Sequence, residues 1–224
     1  MLPSRASLTF SILLLACLMP SCLYAWNSSD TEIILKKMET AYAEVNDYQA
    51  NMEVRTYQRG GSFETKKFLY TFKKPKWIRL DFESPHSGMI MVYPDREGKV
   101  VLRRFFTFHL APDNFLLRVG SGQRLDQTDL GLLIRNIAHS LTDQKRGPVE
   151  ATEENSDLRL HVLADDHFRE GVLTRYQILI DKKQWLPVEV EESTPDGQLE
   201  RTVIFRNLRT NIGVPDRFFQ LDEG

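Results

Sequence analysis

Cysteine is nearly absent: the chain has two in 224 residues, Cys17 and Cys22, and both fall within the first 25. Whatever folds beyond that point has neither a disulfide framework nor a thiolate metal set, so it must rest on a hydrophobic core. Charge of one sign is not in surplus either. Lys and Arg number 29 against 31 Asp and Glu, and residues 1–25 carry a single charged side chain, Arg5. A near-neutral chain lacks the basic excess that phosphate backbones require, which excludes a general nucleic-acid binder. Long apolar runs are missing as well. The stretch Leu8 to Leu18 is shorter than the roughly 20 apolar residues that a membrane-crossing helix needs.

Catalytic constellations are also wanting. Gly120-Ser121-Gly122 lacks the G-x-S-x-G of a nucleophile elbow, and no G-K-[ST] follows Arg118 to complete a phosphate loop. The histidines His86, His109, His139, His161 and His167 are scattered. The nearest approach to a metal set, His161 with Asp165, Asp166 and His167, fits no zinc spacing, and its aspartates fall where a turn needs them. No pair of carboxylates stands out as acid and base. No enzyme activity, cofactor or metal is expected.

What the chain does have begins with a leader. Arg5 supplies a positive start, Ile12 to Leu15 an apolar centre, and Pro20-Ser21 a polar turn before Ala25. This is the pattern of a secretory signal over residues 1–25, leaving 26–224 as one domain. Two readings of its end stay open. A cut after Ala25 removes both cysteines, whereas Leu14-Leu15-Ala16-Cys17 resembles a lipobox in which Cys17 is acylated and becomes the N-terminus.

After the leader, Ser29-Asp30-Thr31-Glu32 forms a capping box. Ile34, Met38, Ala41 and Val45 then recur at helical spacing up to Asn46-Asp47, an amphipathic first helix. From Tyr48 the period switches to two. Strands are expected at 48–56, 67–73, 78–83, 89–93 and 99–105, with Gly60-Gly61 as a hairpin turn. A long connection from His109 to Leu125 leads to a second helix over 126–141, capped by Thr128 or Asp126, with Leu132, Leu133, Ile137 and Leu141 as its apolar stripe. Strands resume at 158–163, 172–180, 184–191 and 199–205. About nine or ten strands in one antiparallel sheet must curl. Large side chains crowd the first half: Phe68, Tyr70, Phe72, Trp77, Phe82, Phe105, Phe106, Phe108 and Phe115, with Met89 and Met91. They either seal a core or line an apolar cavity.

The order of these pieces resembles the periplasmic lipoprotein carriers LolA and LolB and their relatives. The likeness rests on the first helix followed by Tyr48-Gln49-Ala50-Asn51-Met52, on Phe72-Lys73-Lys74-Pro75-Lys76-Trp77-Ile78-Arg79-Leu80, on Trp185-Leu186-Pro187-Val188, and on Phe205-Arg206-Asn207-Leu208 with Val214-Pro215-Asp216-Arg217-Phe218-Phe219. It spans nearly all of 26–224 through loose motifs. It implies a mainly β fold: an unclosed, strongly curved antiparallel β-barrel with helices as a lid over an apolar cavity. It further implies a monomeric carrier, in the periplasm, for lipid or lipoprotein acyl chains, with an inner- or outer-membrane transport partner. The family's functional arginine falls on no single position, since Arg55, Arg79, Arg103 and Arg104 are all open. On this reading Met52, Val54, Phe68, Tyr70, Ile78, Leu80, Met89 and Met91 face the ligand. Leu132, Leu133 and Ile137 form the lid, hinged at Gly120 and Gly122. The competing reading is a regulator of the same fold that binds a protein through an exposed patch in Lys99 to Phe115.

Overall fold

Period-two patterning becomes one sheet. The computed structural model describes residues 28–58, 60–114, 117, 124–141, 149–166 and 169–221. The leader, the proposed hinge glycines Gly120 and Gly122, Phe115 and His167 lie outside the described residues. Eleven strands run β1 (Asp47–Tyr57), β2 (Phe63–Lys73), β3 (Trp77–Ser84), β4 (Ile90–Tyr93), β5 (Val100–Arg103), β6 (Thr107–Leu110), β7 (Glu150–Glu154), β8 (Asp157–Asp165), β9 (Leu173–Asp181), β10 (Leu186–Ser193) and β11 (Leu199–Thr210). Helix α1 is Ser28–Ala43 and α2 is Leu130–Leu141, preceded by a 3-10 turn at Leu125–Gln127.

The spatial order is β6-β5-β4-β3-β2-β1-β11-β10-β9-β8-β7. Two antiparallel meanders thus join where β1 pairs with β11, and β6 and β7 are left as the two open edges. Alternation decides what goes inside. Tyr48, Ala50, Met52 and Val54 of β1 face Phe72, Tyr70, Phe68 and Lys66 of β2 in register, and Ile78, Leu80 and Phe82 continue the apolar rows on β3. Leu158, Leu160 and Val162 of β8 meet Ile180, Ile178 and Tyr176 of β9. All these apolar residues belong to one buried cluster with Ile34 and Met38 of α1 and Ile134 and Ile137 of α2, so the sheet wraps around both helices. Each such side chain contributes roughly 1.5–3 kcal/mol of burial.

Several expectations need correction. The two edge strands β6 and β7 were not foreseen: β6 is almost wholly exposed and β7 buries only Ala151, so neither shows a dry face. The buried face of α1 is Ile34, Leu35, Met38 and Tyr42, with Ala41 only half-buried. Helix α2 starts at Leu130 because Asp129, not Thr128 or Asp126, caps it; the Asp129 Oδ1 accepts from the Leu132 amide at 3.0 Å. Trp77 leaves the barrel interior. It packs on the convex face against Phe219 of a C-terminal 3-10 turn, with Val92 and Val214. Arg79 ties that turn down by donating to the Phe218 carbonyl at 2.7 Å, and Asp47 accepts from the amide of Ile212 at 2.8 Å.

Candidate functional site

Between α2 and the concave face lies a cavity of about 70 Å³. The sheet supplies Met52, Val54, Phe68, Tyr70, Leu80, Val190, Val203 and Phe205; the lid side supplies Leu125, Leu130 and Leu133. Its size is small beside the roughly 300–1,000 Å³ of pockets that enclose a drug-sized ligand. In this conformation the cavity does not admit a ligand of that size.

The sequence-derived positions separate under this geometry. Met52, Val54, Phe68, Tyr70 and Leu80 line the cavity, as does Leu133. Ile78, Met91 and Ile137 are buried in the core without lining it; Met89 is half-buried against the core, and Leu132 is half-exposed. The end of the barrel that holds Ile78 is filled by stacked rings: Tyr48 lies 5.0 Å from Phe72 and 5.7 Å from Tyr70. Aromatic bulk seals one end and leaves the space at the other.

Polar groups gather where the lid begins. The Tyr42 hydroxyl donates to Asp129 Oδ1 at 2.9 Å, and the Leu130 amide donates to the Tyr48 hydroxyl at 3.2 Å. The Tyr70 hydroxyl and Thr128 Oγ1 share a bond of 3.1 Å. Three elements, α1, β1 and β2, therefore each hold the N-terminus of α2 through one tyrosine. Burial pushes all three phenols up, and the neighbouring Asp129 carboxylate raises Tyr42 further, so they remain protonated hydrogen-bonding groups. Gly131 is what lets α2 sit this close. A Cβ there would stand 2.0 Å from Cε1 of Tyr42. Gly131→Ala must displace a ring that its own hydrogen bond to Asp129 pins in place. We expect it to cost about 1–3 kcal/mol in urea unfolding, with hydrogen exchange accelerated at the α2 amides before those of β1.

The wall also holds a charged pair that sequence reasoning missed. Glu192 of β10 and Arg201 of β11 are register partners, their side chains 6% and 5% exposed, and both line the cavity. The Arg201 Nη2 donates to Glu192 Oε1. Burial pushes the Glu192 carboxyl up, and the Arg201 charge offsets part of that shift. None of the arginines left open earlier lines the cavity: Arg55 pairs with Glu53, Arg79 with Asp81, Arg103 is half-buried on β5, and Arg104 is exposed. Of the candidate metal set, Asp166 instead braces its loop, accepting from Thr174 Oγ1 at 2.6 Å and from Arg169.

No protein-family model and no curated protein matches the chain. Among solved structures it is similar to MucB, at 16% identity with a TM-score of 0.51, over 88% of this chain and 64% of the MucB chain. It thus spans less than two-thirds of that protein. It is also similar to an uncharacterised conserved protein from Thermus thermophilus, at 10% identity and TM-score 0.50, over 87% of this chain and 95% of that one. A LolA superfamily protein from Nitrosomonas europaea matches at 12% identity and TM-score 0.41, over 85% and 97% of the two chains. At such identities the likeness is one of fold. That fold, shared with MucB, is an unclosed, curved antiparallel sheet with helices over its concave face.

Proposed function

We propose that this chain is a periplasmic carrier or chaperone that receives lipid or lipoprotein acyl chains between its concave sheet and α2. The apolar cavity under a polar-latched helix is the observation that carries this reading. An acyl chain has no fixed shape and needs only displaced apolar surface, which Leu125, Leu130 and Leu133 offer opposite Met52, Phe68 and Phe205. Polar anchors hold α2 at its start through Tyr42, Tyr48 and Tyr70. They hold it again further along, where Asn136 donates to the Asp165 carbonyl at 2.7 Å and Ser140 Oγ accepts from the Asp165 amide at 3.2 Å. A ligand that parts α2 from the sheet must therefore release one of these sets while replacing its apolar contacts. The secretory-signal pattern of residues 1–25 supports the compartment.

Titration with an environment-sensitive fluorescent fatty acid tests the reading. Saturable binding at one site per chain, displaced by unlabelled phospholipid or acylated peptide, is the expected result; a flat titration sinks it. The second reading, a regulator that binds a protein, draws on the exposure of Phe105, Phe106 and Phe108. It predicts that flat titration.

A further inference from the structure

Strand register places the turns β1–β2, β3–β4, β5–β6, β8–β9 and β10–β11 at one end of the barrel, since Tyr57 meets Phe63, Ile90 meets Arg103, Asp165 meets Leu173 and Thr56 meets Arg201. Exposed apolar residues concentrate on that same rim. Phe105 is 81% exposed, Phe106 75%, Phe63 54% and Phe108 51%, with Val172 and Leu173 beside the β8–β9 turn. Among the described residues, the other exposed large hydrophobics are Ile33 and Ile212. The cavity lies in the half of the barrel nearer this rim, because Val54 is level with Val203 and Arg201 is level with Thr56, close to the β1–β2 turn.

Exposed phenylalanines of this number are not scattered surface residues. The β5–β6 tip has two further properties. Residues 103–108 contain Arg103 and Arg104 and no carboxylate, and the Arg104 guanidinium lies 5.1 Å from the centre of the Phe105 ring. Phe105 and Phe106 are also adjacent and both open to solvent, so the tip is apolar on more than one side. A folded protein covers one side of such a tip. The headgroup–acyl boundary surrounds it, with aromatic rings at interfacial depth and arginines at the phosphates.

We infer that the β5–β6 hairpin docks this rim onto an anionic phospholipid bilayer. The contact is peripheral: among the described residues no helix is long and apolar enough to cross a membrane. Docking through the rim holds the cavity against the bilayer surface, yet it does not depend on what the cavity carries.

The test uses a chain with Cys17→Ser and Cys22→Ser, which also removes any acylation at Cys17, and a single Phe106→Cys labelled with the fluorophore NBD. Ile212→Cys, at the opposite end of the barrel, is the control. Vesicles of phosphatidylcholine containing phosphatidylglycerol should blue-shift and brighten the label at 106 but not at 212, and high salt should weaken the response. Arg104→Gln should weaken partitioning roughly five-fold, as expected for one basic residue at an anionic surface. Phe105→Ser with Phe108→Ser should reduce it at least ten-fold while leaving fatty-acid binding intact. No response at 106 overturns the proposal, as does an equal response at 212. A response at 106 without lipid, from a second copy or an added protein, reassigns the tip to a protein contact and also overturns it.

Discussion

Arg201→Met lowers the free energy of unfolding by about 3–5 kcal/mol, because it strands the Glu192 carboxylate in an apolar wall. For a domain of this size that is a drop in Tm of roughly 6–20 °C. The double variant Arg201→Met with Glu192→Leu should recover most or all of the loss, since two well-packed apolar residues often match a buried pair. The pH dependence follows from the direction of the Glu192 shift. Burial raises its folded pKa above the unfolded value, so its contribution is fully present below the unfolded pKa and is lost as pH rises through the folded one. Without the Arg201 charge the folded value rises further. Arg201→Met should therefore be most damaging at neutral pH and partly rescued in mildly acidic buffer, whereas Glu192→Gln should flatten that difference. Thermal melts of the variants at two pH values read all of this. Equal damage at both pH values would show that Glu192 is not the group left stranded.

Val203→Phe fills the cavity and should abolish acyl binding, weakening a fluorescent fatty acid at least ten-fold. Val203 sits on β11 opposite Val54 and Val190, and its side chain reaches the space beneath Leu130 and Leu133. Overpacking costs about 1–3 kcal/mol, so the variant should still fold and melt cooperatively. Ile78→Val is the matched control. Ile78 is buried but does not line the cavity, so its loss of about 0.5–1.5 kcal/mol in stability should leave binding unchanged. If the two variants bind alike, ligand does not enter where the cavity is.

Much of this was legible in the chain, and the omissions have physical causes. Helix α1, the β1–β3 meander and the long strands β8 to β11 announce themselves because each has one wet and one dry face. The edge strands do not, since Thr107–Leu110 and Glu150–Glu154 bury almost nothing. Pairing of β1 with β11 joins Val54 to Val203, a contact no local pattern can signal. Part of the site was readable and went unread. Trp77 is out of phase with Ile78, Leu80 and Phe82, which places it on the convex face; Glu192 is in phase with Val190, and Arg201 with Val203 and Phe205, which turns both charges inward. Consecutive Phe105 and Phe106 could not both point into the barrel, and neither does. The division between cavity and filled core was not readable, because it depends on how Tyr48, Tyr70 and Phe72 stack across strands.

Native mass spectrometry of the protein, purified gently from its own envelope, tests acyl carriage most directly. The predicted result is a mass excess that dissociates as phospholipid or acylated peptide and is missing from Val203→Phe. A bare polypeptide mass for both proteins, under conditions that preserve a known lipid complex, would contradict it.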